Sequence, residues 1–150
     1  MANDLTAKRV PILATPGVEQ VELTKPREAL DAAGAKTILV APKKGKIKAW
    51  QHDRWGDELD VDATLDDVRA ETFDALLIPG GVMSPDRLRM DRKAVDFVRA
   101  EHGHMPPTIT PHHLMISRNA LFQGGLGPHL YCLPVAKRER HRLAVRRAAT

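Results

Sequence analysis

Phe73-Asp74-Ala75-Leu76-Leu77-Ile78-Pro79-Gly80-Gly81 is an apolar run that stops at a proline and two glycines. Ala-Leu-Leu-Ile without alternation suits a strand buried on both faces, as in a parallel sheet covered by helices. Pro79 has no N–H for a ladder and marks the end of the strand. Two glycines then bring bare backbone close to whatever lies beyond the sheet edge, the usual ligand position in an open α/β domain.

Working back from that strand, Lys8 to Ala14 reads as a first strand, with Pro11 awkward because proline belongs at an edge or a strand start. Gly17-Val18-Glu19-Gln20 is a turn into a helix that runs to Gly34. Ala29, Leu30 and Ala33 mark its apolar face, and Pro26 predicts a kink or a late start. Lys36 to Ala41 is a second buried strand. Ile47–Trp50 and Trp55–Val61 form a hairpin or short extended pieces. Thr64-Leu65-Asp66-Asp67 resembles a capping box and predicts a helix start. After the glycines, Ser84-Pro85-Asp86 starts a short helical turn, and Asp91 caps a helix from Arg92 to about Ala100. This order predicts an α/β fold with a doubly wound, mostly parallel sheet.

The chain has 150 residues, 43% of them hydrophobic and 28% charged, which suits one globular domain. Aromatics are only 4%, so aliphatic side chains must build the core. No apolar run approaches the ~18 residues of a membrane span, and the first residues lack the apolar core of a signal peptide. A single cysteine, Cys132, excludes an internal disulfide and leaves a cytoplasmic location as the expectation. The sequence calls for no cofactor.

The net charge of +4 conceals a break near position 100. Residues 101–150 carry seven Lys/Arg against two Glu, a net of +5, which leaves −1 for residues 1–100. Six of the seven histidines lie after residue 100, and no aspartate does. The chain therefore divides into an α/β portion, residues 1–100, and a basic His/Arg/Pro-rich segment, residues 101–150, without assigned structure.

Five stretches carry a family resemblance. They are Gly17-Val18-Glu19-Gln20-Val21-Glu22-Leu23, Trp55-Gly56 ahead of Val61-Asp62, Phe73 to Gly81, Pro85-Asp86-Arg87-Leu88-Arg89, and Lys93-Ala94-Val95. In this order and spacing the chain, over about residues 8–100, resembles the PfpI-like branch of the ThiJ/PfpI superfamily. These are intracellular cysteine peptidases and glyoxalase/deglycase-type proteins. The resemblance implies a flavodoxin-like three-layer fold. It also implies a nucleophilic cysteine on a sharp turn, a histidine directly after it, and a homo-oligomer in which a neighbouring subunit supplies an acid. The implied substrate is a peptide or a small carbonyl compound.

By the same resemblance, Glu19 matches the glutamate that points at the cysteine, and Asp86 stands where the acid of the triad is placed. Gly80 and Gly81 match the glycines beside the oxyanion site. Read as residues alone, Glu19 and Asp86 are acids near helix starts, favoured by the helix dipole, and Gly80-Gly81 is a tight turn.

The resemblance ends before the elbow. A Cys-His-Gly sequence is due a dozen or so residues after Lys93-Ala94-Val95, and the chain there reads Glu101-His-Gly-His-Met-Pro-Pro-Thr-Ile-Thr-Pro-His-His113. Cys132 sits too late, in Leu130-Tyr-Cys-Leu-Pro134. As a nucleophile with His129 as base it is poorly placed between Pro128 and Pro134, and it reads as an apolar thiol. The expectation is a nucleophile-deficient, catalytically impaired protein whose last third comes from a shifted reading frame or a fusion. A sheet without its elbow strand is expected to expose an edge and to fold marginally.

Other chemistries are less well supported. His102/His104 and His112/His113 lie in proline-rich sequence that gives zinc no ordered tetrahedron, so no metal is expected. The basic stretch Lys137–Arg147 could touch phosphates, but it has no interleaved aromatics and reads as a solvated tail. Nucleic acid is therefore not the expected partner. A non-catalytic remnant or oligomeric interaction protein is the competing reading.

Overall fold

The computed structural model of the protein describes residues 5–102, 114–117 and 131–134. A six-stranded sheet forms its middle layer. Its strands are β1 (Arg9–Leu13), β2 (Lys36–Ala41), β5 (Ala63–Thr64), β6 (Ala75–Ile78), β7 (Leu114–Ser117) and β8 (Tyr131–Pro134), in the spatial order β5-β2-β1-β6-β7-β8. β3 (Lys46–Gln51) and β4 (Arg54–Asp60) form a separate antiparallel hairpin. The helices are α1 (Gln20–Ala32), α2 (Met83–Met90) and α3 (Arg92–His102), with a 3₁₀ turn at Ala70–Thr72.

The buried-strand reading of β1 and β6 holds, and alternation along each strand feeds two cores. Val10 and Ile12 of β1, with Ala14 just after it, join Ala75 and Leu77 of β6 on one face, under Leu23 and Leu30 of α1 and Ile47 and Ala49 of the hairpin. Leu13, Leu76 and Ile78 face the other way, onto Leu88 of α2 and Ala94, Phe97 and Val98 of α3. The Phe73 and Phe97 rings meet edge to face at 6.3 Å on that side. Both faces of the sheet are thus covered, which gives the three-layer, flavodoxin-like architecture.

Local chemistry sets the element ends. α1 closes with two bonds, Ala35 N–H to Leu30 O at 3.0 Å and Gly34 N–H to Asp31 O at 3.0 Å, the pairing that satisfies the last free carbonyls of a helix. Asp91 Oδ1 accepts the Ala94 N–H at 3.0 Å and caps α3.

Four expectations need correction. Pro11 lies in a central strand, not at an edge. Ala14 N–H donates to Val40 O on β2. Alternation turns the Pro11 nitrogen toward β6 instead, so the β1–β2 ladder loses no donor. Pro26 does not delay α1, which begins at Gln20 and carries Pro26 buried within it. Thr64 starts no helix. Asp67 Oδ2 does accept from the Thr64 N–H (3.0 Å) and hydroxyl (2.7 Å), but Val40 and Ala41 hold Ala63 and Thr64 as a strand, and the bonds close a turn instead. The open edge expected at β6 is paired, because β7 runs antiparallel along all four of its residues.

Candidate functional site

Three turns meet at the end of the sheet where β1 and β6 finish. Gly17 N–H donates to Lys48 O at 2.8 Å, and Trp50 N–H donates to Val18 O at 2.7 Å. These two bonds seat the hairpin on the turn between β1 and α1. From the other side, the buried Ser84 Oγ accepts the Thr15 N–H at 3.0 Å, and Arg87 Nη1 donates to Pro16 O at 2.8 Å. The turn that carries Glu19 is thereby held by backbone bonds from the hairpin and by α2.

Glu19 is the residue before α1, in extended conformation, and its side chain does not cap its own helix. Its Oε1 instead accepts the backbone N–H of His52 at 3.3 Å, and its own N–H reaches Gly80 O at 3.4 Å. Gly81 sits against it with φ of +100°. A Cβ there would come within 3.1 Å of the Glu19 nitrogen, so a side chain meets both the left-handed backbone and the Glu19 turn. Glu19, Gly80 and Gly81 are therefore brought together. Gly81 has a packing reason to be glycine, whatever else its backbone does.

Asp86 is placed differently. It lies in the first turn of α2, exposed, with its carboxylate engaged by Arg89 one turn on. Within this chain it faces solvent.

Cys132 is remote from this cluster. It lies inside β8, opposite Met115 of β7, which is opposite Leu77 of β6, which is opposite Ile12 of β1. Three strand spacings of ~4.8 Å put its backbone about 14 Å from that of Ile12 across the sheet. The direction of β7 compounds the separation. Its first residue, Leu114, pairs with Ile78 beside the glycines, and its last, Ser117, pairs with Ala75 at the opposite end. β7 thus ends, at Ser117, on the side of the sheet opposite to Glu19.

Two parts of the site escaped the sequence reading. Gln20 and Asp57 clasp each other, Gln20 Nε2 to Asp57 Oδ2 at 2.7 Å and Asp57 N–H to Gln20 Oε1 at 2.9 Å. A Cβ on Gly56 would collide with Gln20 Oε1, so Gly56 makes room for the clasp. The Trp55-Gly56 pair was its only sequence trace. The Thr15–Ser84 bond had none, because the partners lie 69 positions apart.

Among the described residues, no three His, Cys, Asp or Glu side chains converge as a metal site, and no helix is long and apolar enough to cross a membrane. His102 ends α3. His104, His112, His113, His129 and the basic stretch 137–147 lie outside the described residues.

Comparison with known proteins places this geometry. In sequence the chain is similar to dihydroorotase of a Synechococcus species, 67% identical over 57 residues, which are 38% of this chain and 17% of that enzyme. Among solved structures it is similar to an Anabaena variabilis protein with DJ-1/ThiJ/PfpI-like and ferritin-like domains. There the TM-score is 0.55 and the identity 33%, over 61% of this chain and 26% of that one. Toxoplasma gondii DJ-1 shares the fold, with a TM-score of 0.57 and 21% identity over 64% of this chain and half of that one. The chain thus spans half or less of each of these relatives. The sequence pattern of the DJ-1/PfpI family matches residues 8–108, the stretch that holds β1, Glu19, the hairpin and the Pro79-Gly80-Gly81 turn. This chain belongs to the DJ-1/PfpI family.

Proposed function

We propose that this protein is a PfpI-like scaffold of the cysteine peptidase, glyoxalase or deglycase type that lacks a working nucleophile, joined to a segment of dihydroorotase type. In a complete site of this kind, a thiolate attacks the carbonyl of a peptide or α-oxoaldehyde. A histidine moves the proton and backbone N–H groups take the developing charge. Here Glu19 and the glycine pair stand ready at the end of the sheet. The observation that carries the reading is the place of Cys132, inside β8 and separated from β1 by β6 and β7.

The composite origin rests on different observations. The family pattern stops at residue 108, and the composition changes near 100. The dihydroorotase match is an enzyme of another description. A shifted reading frame would not yield 67% identity to an expressed enzyme, which favours fusion over a frameshift. With 17% of a dihydroorotase present, no dihydroorotate turnover is expected either.

The test is methylglyoxal and peptide consumption by the full chain beside Cys132→Ser. The reading expects neither protein to turn over substrate. Turnover that Cys132→Ser abolishes would refute it.

A further inference from the structure

We infer that the Glu19 carboxylate is the catch of a strained hairpin tip, so that whatever occupies Glu19 sets the position of the two tryptophans on that hairpin. The inference goes beyond the reading above and holds whether or not the chain has a nucleophile. Only His52 and Asp53 join β3 to β4. His52 carries its side chain at a φ of +58°, in the left-handed region. Asp53 N–H donates to Gln51 O at 2.7 Å, which closes a three-residue turn around His52. Such a turn with a positive φ at its centre is rare and strained, and it persists only where surrounding groups hold it.

Two side chains hold it. The half-buried Glu19 accepts His52 N–H, and Trp50 Nε1 donates to His52 O at 2.8 Å. Both backbone polar groups of His52 are thus pinned. Of the two holds, Trp50 belongs to the hairpin itself, and Glu19 comes from the turn ahead of α1. The Trp50 ring in turn meets the Trp55 ring edge to face at 5.3 Å, and Trp55 is 47% exposed. Glu19, the tip and the tryptophan pair therefore form one linked unit. The carboxylate bond exists only while the turn is held, so a hydrogen-bond donor that takes the Glu19 carboxylate favours the released turn. The glutamate that the family resemblance assigns to a thiol is here engaged in holding a turn.

Trp50 and Trp55 are the chain's two tryptophans, so tryptophan emission reads the tip. The test compares the full chain with Glu19→Ala by emission and by residue-resolved hydrogen exchange, in the parent and in a His52→Gly background. In the parent, Glu19→Ala should shift the emission to the red and speed exchange of the His52 amide at least about tenfold, with the β1 and β6 amides unaffected. Glycine takes a left-handed φ without strain, so in the His52→Gly background the same substitution should produce a smaller red shift. Unchanged emission and unchanged His52 exchange in Glu19→Ala, or an equal shift in both backgrounds, overturns the proposal. If Glu19→Ala loses protection across β1 and β6, the comparison is made with Glu19→Gln. That variant keeps the size of the side chain and weakens the acceptor by removing its charge, and the same results support or overturn the proposal.

Discussion

Gly81 is packed against the backbone of Glu19, with 3.1 Å between the Glu19 nitrogen and the place where a Cβ would stand. Family membership draws attention to both residues for chemistry, yet their contact is structural. It fixes the turn ahead of α1 to the turn behind β6. Gly81→Ala meets this contact and a φ of +100° together. It should destabilise the fold by roughly 1–3 kcal/mol, read as a lower denaturant midpoint at unchanged slope. An unchanged midpoint would show that the two turns are not in contact.

Ser84→Ala tests the opposite wall. Ser84 Oγ is the acceptor for the buried Thr15 N–H, at 3.0 Å. Removing it leaves that donor without water or partner, at about 1–3 kcal/mol. Ser84→Thr, which keeps the hydroxyl, should recover part of the loss. Equal stability of Ser84→Ala and the parent in urea unfolding would contradict the bond.

Gly56 and Gln20 should be strongly coupled. Gly56→Ala drives a methyl into Gln20 Oε1 and breaks the clasp with Asp57. In a Gln20→Ala background the obstacle is gone, so the same substitution should be nearly neutral. A double-mutant cycle should return an interaction energy on the order of 1 kcal/mol. Additive effects would place Gln20 elsewhere.

Acid titration probes the turn after β5. The hydroxyl and N–H of Thr64 hold the Asp67 carboxyl below its ordinary value of 3.8. A depressed folded-state value means a stabilising contribution that is present above the unfolded value and disappears as pH falls through the folded one. Carboxyl-carbon NMR should give an Asp67 midpoint below 3.8, returning toward it in Thr64→Val. A midpoint at or above 3.8 in the parent would contradict the geometry.

Much of the first hundred residues was legible because its signals are local. The apolar run before Pro79-Gly80-Gly81 fixed β6, and Gly34 fixed the end of α1. Pro11 and Thr64 misled for the reason that local rules do. Neighbouring strands decided which side of β1 lost a donor and whether Thr64 lay in a strand. Glu19 was legible as a position but not in its contacts, since His52, Gly80 and Gly81 reach it from two other turns. The direction of β7 could not be read at all. Leu114-Met-Ile-Ser117 would be an equally good strand either way, and β6 decides.

The account stands on the separation of Cys132 from Glu19, and the pH dependence of Cys132 alkylation in the full chain and in Glu19→Gln tests it most directly. A carboxylate beside a thiol shifts the pH at which the reactive thiolate forms. With Cys132 in β8, three strands away from β1, the two profiles should coincide. A profile that moves when Glu19 loses its charge would put the thiol beside Glu19 and contradict the account.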